Sequence, residues 1–73
     1  MEVIMGKIIV LNGKGHEVET EDLKAVAMRL LKEGYQFWQN VGTGDAIELG
    51  TQVAAKNVTA RMVLVAMKPL AGG

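Results

Sequence analysis

The chain contains no cysteine, and this absence constrains how its 73 residues can fold. A domain near this size buries only about 60% of the surface that its unfolded chain exposes, so its core alone stabilises it little. Disulfide bonds and thiolate metal sites need cysteine, and the one histidine, His16, has no second histidine for a zinc site. Hydrophobic residues form 49% of the chain. We therefore expect one domain, residues 1–73, that buries its excess apolar surface in a homo-oligomer, a dimer or larger.

Short apolar runs indicate a soluble, cytoplasmic protein without a membrane partner. The runs Ile8–Leu11 and Met62–Met67 are far shorter than the roughly 20 residues of a membrane-spanning helix, and no signal-peptide pattern opens the chain. Eight Lys and Arg balance eight Asp and Glu, which argues against the strong positive field of most nucleic-acid-binding proteins. A neutral total can still include a local basic face, because charges act over about 8 to 10 Å at ordinary salt.

Hydrophobic periodicity predicts the element order β-α-β-α-β. Strands are predicted at Val3–Leu11, Tyr35–Val41 and Val58–Met67, because these runs are rich in apolar, β-branched or aromatic residues. The first helix is predicted from a Thr20 cap to Gly34. Its apolar face is formed by Leu23, Val26, Ala27, Leu30 and Leu31.

A second helix is predicted to begin near Asp45 and to end at Asn57. Asp45 and Glu48 have the spacing of a capping box, which explains this carboxylate pair better than acid–base or metal chemistry does. The predicted fold class is α/β, an α+β two-layer sandwich with both helices on one face of a small mixed sheet whose first two strands are parallel neighbours. A second subunit would cover the other face. We expect Trp38 in the core or at that interface, and stacking on a nucleobase is the alternative.

Two glycine-containing loops are the candidate contact sites. The first, Asn12–His16, carries Lys14 between two glycines. The second, Val41–Ile47, is called the glycine turn below and contains Gly42 and Gly44 at the predicted start of the second helix. Bare amide groups and the positive end of a helix dipole can hold phosphate or another anion there. Alternatively, the glycines only make a sharp connection, since the turn matches neither the Rossmann nor the P-loop pattern.

The residues do not suggest a catalytic site, so we expect a protein that is not an enzyme and uses no cofactor or metal. The chain lacks serine and cysteine nucleophiles, and His16 lies in a predicted flexible loop. A small-ligand site at a subunit interface, assembled from Thr43, His16 and neighbouring chains, is an alternative function.

Three short segments carry a family resemblance. Leu30–Gly34 ends the first predicted helix, Gly44–Ile47 opens the second, and Gln39–Gly44 forms the turn between the second strand and that helix. Their order and spacing resemble the Alba superfamily of small archaeal chromatin and RNA-binding proteins, and the last segment is similar to its bacterial sporulation protein S branch. The likeness covers residues 7–54.

The resemblance implies a dimer that lays both candidate loops along DNA or RNA. Lys14 matches the family's loop lysine, and Gly42, Thr43 and Gly44 match its contact turn, with both loops expected on the same edge of two parallel strands. Asp45 stands where the archaeal proteins carry a basic residue, and the sequence omits the family's basic hairpin, so we expect weak or RNA-directed binding. The leading hypothesis is a homo-oligomeric nucleic-acid-binding module. The alternative is a self-assembling interaction module without nucleic-acid binding.

Overall fold

The computed structural model describes residues 5–69, which form a small α+β fold with one five-stranded mixed sheet and one α-helix. The elements in chain order are β1 (Lys7–Asn12), β2 (Gly15–Glu19), α1 (Leu23–Lys32), β3 (Gln36–Asn40), β4 (Leu49–Val53), a single 3₁₀ turn (Ala55–Asn57) and β5 (Val63–Met67). The combination of a mixed sheet with helical cover is confirmed, but the second α-helix is not found in these residues. No helix in this part of the chain is long and apolar enough to cross a membrane.

The strands are ordered β2-β1-β5-β3-β4. β1 and β5 are parallel, with Lys7 beside Val63 and Leu11 beside Met67. β3 runs antiparallel to β5, while hairpins attach β2 to β1 and β4 to β3. The prediction that the first two apolar strands are parallel neighbours is therefore wrong. β5 lies between β1 and β3, and these two strands run in opposite directions.

Backbone conformation at both ends of α1 sets its limits. The N-cap is Asp22, which has a left-handed φ of 49° and makes no side-chain capping hydrogen bond, so the predicted Thr20 cap is wrong. Past the other end, Gly34 has a φ of 96°, a conformation that glycine adopts without steric cost. The amide of Tyr35 then donates to the carbonyl of Leu30 at 3.0 Å, and the chain continues into β3.

The core lies between α1 and one face of the sheet. Leu23, Ala27 and Leu30 of the helix are buried, as their periodicity predicts. The sheet contributes Ile8, Val10, Phe37, Leu64 and Ala66. Leu31, predicted on the same helix face, is 48% exposed, because it lies about 100° around the helix from Leu30.

The segment predicted as a second helix forms the β3–β4 hairpin instead. The predicted start at Asp45 is wrong, because the Glu48 amide donates to Oδ1 of Asn40 at 3.0 Å and draws this segment onto the end of β3. Gly50 and the β-branched Thr51 also have low helix propensity. The 3₁₀ turn Ala55–Asn57 is the one helical turn in the segment predicted as the second helix, and it packs against α1.

The sequence suggested a loop over the whole segment Asn12–His16, but most of this segment belongs to strands. Asn12 pairs with Gly15 across a hairpin, so only Gly13 and Lys14 form the turn. The Lys14 amide donates to Oδ1 of Asn12 at 2.8 Å, and Gly15 has a φ of 122°. The polar sequence of β2 hides the strand, because most of this edge strand is exposed and shows no apolar alternation.

The other predicted strand limits shift as well. The first predicted strand starts at Val3, which lies outside the described residues, and β1 begins at Lys7. The last predicted strand starts at Val58, but β5 begins only at Val63, and Val58 is buried in the core beneath α1. Residues 54–62, between β4 and β5, carry the chain back across the helix side of the sheet to the start of β5.

The sheet face turned away from α1 is partly covered within the chain. Ile9 and Val65 on this face are buried, and Trp38, which pairs with Val65, is half-buried. The glycine turn lies over the same face, because its residues share a groove with β1 and β2. Ile9 and Val65 are therefore buried without the second subunit that the sequence suggested.

Candidate functional site

The side chain of Asn40 organises the glycine turn. Its Oδ1 accepts hydrogen bonds from the amides of Gly42 and Glu48, both at 3.0 Å, and its Nδ2 donates to the carbonyl of Ala46 at 3.4 Å. The Ala46 amide donates in turn to the carbonyl of Thr43 at 3.1 Å. These bonds close the turn on itself and fix its position over the sheet.

Both glycines of the turn are required by its backbone. A Cβ atom on Gly42 would collide with the carbonyl group of Ala46, whose carbon atom would be only 2.8 Å away. Gly44 has a φ of 63°, in the left-handed region that favours glycine. The glycine pattern therefore has a structural cause, in agreement with the alternative that these residues make a sharp connection.

The glycine turn lacks the helix start that would favour an anion. The next regular element among residues 5–69 is β4, so no helix begins at the turn to offer the positive end of its dipole. The amide of Gly42 already donates to Asn40. Asp45 lies in the turn and Glu48 directly follows it, so a phosphate there would meet two carboxylates.

Lys14 and the glycine turn lie at opposite ends of the sheet. Lys14 follows the carboxyl end of β1, whereas the glycine turn follows the end of β3, which runs the other way. Strands of five or six residues separate these ends by roughly 17–20 Å. Within one chain, Lys14 therefore does not join Gly42, Thr43 and Gly44 in one contact surface, contrary to the expectation that both loops share an edge.

Exposed lysines gather where β1 and β5 end. Lys14 occupies the β1–β2 turn, Lys68 directly follows β5, and Lys32 is the last residue of α1. The Lys68 Nζ atom lies 5.2 Å from the centre of the Tyr35 ring, a cation–π contact at the point where the chain enters β3. We call Lys14, Lys32 and Lys68 the basic end.

A groove of about 370 Å³ opens at the basic end. Its lining residues are Leu11, Asn12, Gly13, Tyr35, Met67 and Lys68. Sequence reasoning identified Lys14 but missed Lys68, because only the parallel pairing of β1 and β5 brings these distant positions to one end.

Carboxylates outnumber cations at the opposite end of the sheet. The carboxylates there are Glu19, Glu21, Asp22, Asp45 and Glu48, and the cations are Lys7, Lys24 and Arg61. One of these carboxylates, Glu19, is partly neutralised, because its Oε2 lies 3.5 Å from Nη2 of Arg29. The formal net charge of zero therefore conceals a separation of charge along the strands.

A second groove lies between the glycine turn and the β1–β2 hairpin, and we call it the turn groove. Its volume is about 530 Å³. Apolar side chains of Ile9, Val18, Ile47 and Val63 line it together with the polar residues Lys7, His16 and Asp45. The glycine turn and the only histidine, both identified from the sequence, thus meet around one groove. Lys7 is the member that sequence reasoning did not single out.

His16 lies at the surface of the β1–β2 hairpin and is exposed. No group of three or more His, Cys, Asp or Glu side chains converges to hold a metal ion among residues 5–69.

The chain was compared with protein-family models, curated proteins and solved structures. The resemblance to the Alba superfamily stays a prediction based on short segments, and the second helix that it implies is not found in residues 5–69. None of the three comparisons gives a match for this chain.

Proposed function

We propose that this protein is a non-enzymatic, homo-oligomeric module that binds the DNA or RNA backbone weakly through its basic end. The supporting observation is the position of Lys14, Lys32 and Lys68 at one end of the sheet. Lysine contacts to phosphates supply essentially all of non-specific nucleic-acid affinity. A neutral chain can bind a polyanion when its positive charges are gathered in this way.

The charge balance at the basic end favours a bound anion. The carboxyl end of α1 contributes about half a negative charge, which three lysines outweigh. Glu33 lies close by, and its Oε2 is 3.7 Å from Nε of Arg29, which also contacts Glu19. These three side chains together keep one net negative charge, which is less than the charge of the three lysines. The carboxylates of the opposite end are roughly 17–20 Å away, beyond the Debye length of about 8 Å at physiological salt.

Binding through the basic end is expected to be independent of base sequence. Tyr35, the aromatic residue next to Lys68, is only 7% exposed and offers no free ring face for stacking on a base. Lysine ammonium groups recognise phosphates by charge, and phosphate contacts carry no sequence information. The glycine turn, at the other end of the sheet, is not part of this interface.

Anisotropy titrations with labelled single- and double-stranded DNA and RNA, at salt between about 50 and 200 mM, test this proposal. Lys14→Glu and Lys68→Glu should weaken binding to every sequence. Each should reduce the slope of log affinity against log salt by about 0.7 for single strands and 0.9 for duplexes. Lys24→Glu makes the same charge change at the opposite end and should behave like the wild type.

Two results would contradict the proposal. One is the absence of binding by the wild-type protein at low salt. The other is an equal loss of affinity in Lys24→Glu, which would show that total charge rather than the basic end determines binding.

The edge strand β4 favours a second candidate function, self-association without nucleic acid. β4 pairs only with β3 in the sheet, and its residues, Leu49–Val53, include no charge and no proline. Leu49 within β4 and Val41, whose amide donates to the carbonyl of Glu48 just before β4, are exposed and add apolar surface to this edge. The opposite edge, β2, carries two glutamates, a feature that opposes strand pairing between molecules.

Thr51→Lys places a charge in the middle of β4 and should dissociate an assembly formed through this edge. Light scattering coupled to size-exclusion chromatography measures the particle mass, which is compared with the 7.8 kDa of one chain. Thr59→Lys, at a position that is also exposed but lies outside the strands, is the control. A wild-type protein with the mass of a single chain, or a Thr51→Lys variant with an unchanged larger mass, would contradict this candidate.

A further inference from the structure

We propose that the turn groove binds a small amphipathic carboxylate, a molecule with an apolar body and one anionic group. The turn groove shares no lining residue with the groove at the basic end. Its volume of about 530 Å³ falls within the roughly 300–1,000 Å³ of ordinary ligand pockets. This proposal does not depend on nucleic-acid binding.

The groove is formed by fixed parts of the chain. On one side, the β1–β2 hairpin is paired from Ile8 to Asn12. On the other side, the glycine turn is held by the hydrogen bonds of Asn40 and by the close approach of Gly42 to Ala46. A preformed groove lowers the cost of ordering the protein when a ligand binds.

Apolar side chains on both sides of the groove can contact a hydrocarbon body. Ile9 lies on the sheet side and is buried, and Val63 beside it is half-buried. Val18 on β2 is 51% exposed and Ile47 in the glycine turn is 41% exposed. A ligand between these two would remove both from water, which accounts for two large apolar side chains at the surface of a small fold.

Lys7 supplies the positive charge for the anionic group. It lies two residues before Ile9 on the same face of β1, so its side chain emerges roughly 7 Å from that of Ile9. The ion pairs among residues 5–69 are those of Arg29 and do not include Lys7. His16 also lines the groove, but it pairs with Leu11, four residues beyond Lys7 and roughly 13 Å along β1, so the anionic group is assigned to Lys7 alone.

Asp45 is the negative charge that faces this site. It belongs to the exposed glycine turn, where water screens it, whereas Lys7 is half-buried on the sheet side. The two charges therefore predict opposite effects of substitution. Loss of the Lys7 charge should weaken carboxylate binding, and loss of the Asp45 charge should strengthen it.

The probe is octanoate. It is added to ¹⁵N-labelled protein, and binding is followed through the chemical shifts of the protein's amides. Saturable shifts are expected at the amides of Gly42, Gly44 and Val18. Lys7→Gln should weaken binding about tenfold, and Asp45→Asn should strengthen it about two- to threefold. Lys7→Arg keeps the charge and should retain most of the affinity.

Lys24→Gln, which removes a charge outside the groove, is the matched control and should leave octanoate binding unchanged. The proposal is overturned if octanoate causes no saturable shift up to about 10 mM, or shifts only residues at the basic end. It is also overturned if Asp45→Asn weakens binding, which would indicate a cationic or zwitterionic ligand. Octanoate carries no phosphate and is not expected to contact Lys14, so these results are separate from the nucleic-acid test.

Discussion

Single side chains around the glycine turn determine the path of the backbone. Asn40 binds three backbone groups of the segment that follows it, while Gly42 leaves room for the carbonyl of Ala46. Glycine is therefore needed at position 42 for close backbone approach. Gly13, in the other glycine-containing loop, has no atom within 4 Å of the place where a Cβ would lie. Two loops of similar composition thus differ in their tolerance of a side chain.

Gly42→Ala should destabilise the protein by about 1–3 kcal/mol, because the added methyl group forces the turn away from Ala46. Chemical denaturation of both variants measures the free energy of unfolding. Gly13→Ala, the matched control, should change it by less than about 1 kcal/mol, since space is available there. Equal effects in the two variants would show that the close contact at Gly42 does not constrain the fold.

Val65 and Val18 lie on the same face of the sheet but differ in how deeply they are buried. Val65 is 0% exposed and Val18 is 51% exposed. Val65→Asp buries an unpaired charge and should cost more than about 4 kcal/mol, enough to unfold much of a small domain. Val18→Asp should cost less than about 1 kcal/mol. Thermal melting followed by circular dichroism checks both, and a folded, soluble Val65→Asp protein would contradict the observed burial.

At the level of elements, strong apolar patterns were sufficient to predict one helix and three strands. α1, β3 and β5 lie within the predicted segments, and β1 exceeds its predicted segment only by Asn12, because each element contributes apolar side chains to the core. β2 was missed because it is an exposed edge strand with little apolar periodicity. The second helix was predicted wrongly because its capping pattern is local, whereas the hydrogen bond between Asn40 and Glu48 depends on the adjacent strand.

Asn40→Ala should loosen the connection between β3 and β4 without unfolding the sheet. The amides of Gly42 and Glu48 lose their side-chain acceptor, so their hydrogen exchange should accelerate about fivefold or more, corresponding to roughly 1 kcal/mol per hydrogen bond. Asn12→Ala removes the corresponding acceptor in the other hairpin and should accelerate exchange at Lys14 alone. Unchanged exchange at Gly42 in Asn40→Ala would argue against this role of the side chain.

Across the whole molecule, the sheet topology separates groups that the sequence placed together. The reversed direction of β3 moves the glycine turn away from Lys14, while the parallel pair β1 and β5 brings Lys68 towards it. Sequence reasoning could identify an exposed loop lysine and a tight glycine turn from local composition. It could not assign their partners, because strand order is set by packing between distant segments.

The distribution of charge should matter more than its total for binding to a polyanion. The double variant Lys14→Glu with Lys68→Glu has the same net charge as Lys24→Glu with Arg61→Glu. On immobilised heparin at low salt, the first should elute well before the wild type and the second close to it, because only the first reverses the basic end. Identical elution of the two double variants would show that the separated charges act as one average field.

The parallel pairing of β1 and β5 has a mechanical consequence. β1 begins at one end of the sheet and β5 finishes at the other, and the two strands are direct neighbours. A force that pulls residue 7 away from residue 67 would therefore slide the strands past each other and load their whole ladder of hydrogen bonds together. Stretched in this direction, the molecule should resist rupture better than when a hairpin is peeled apart bond by bond.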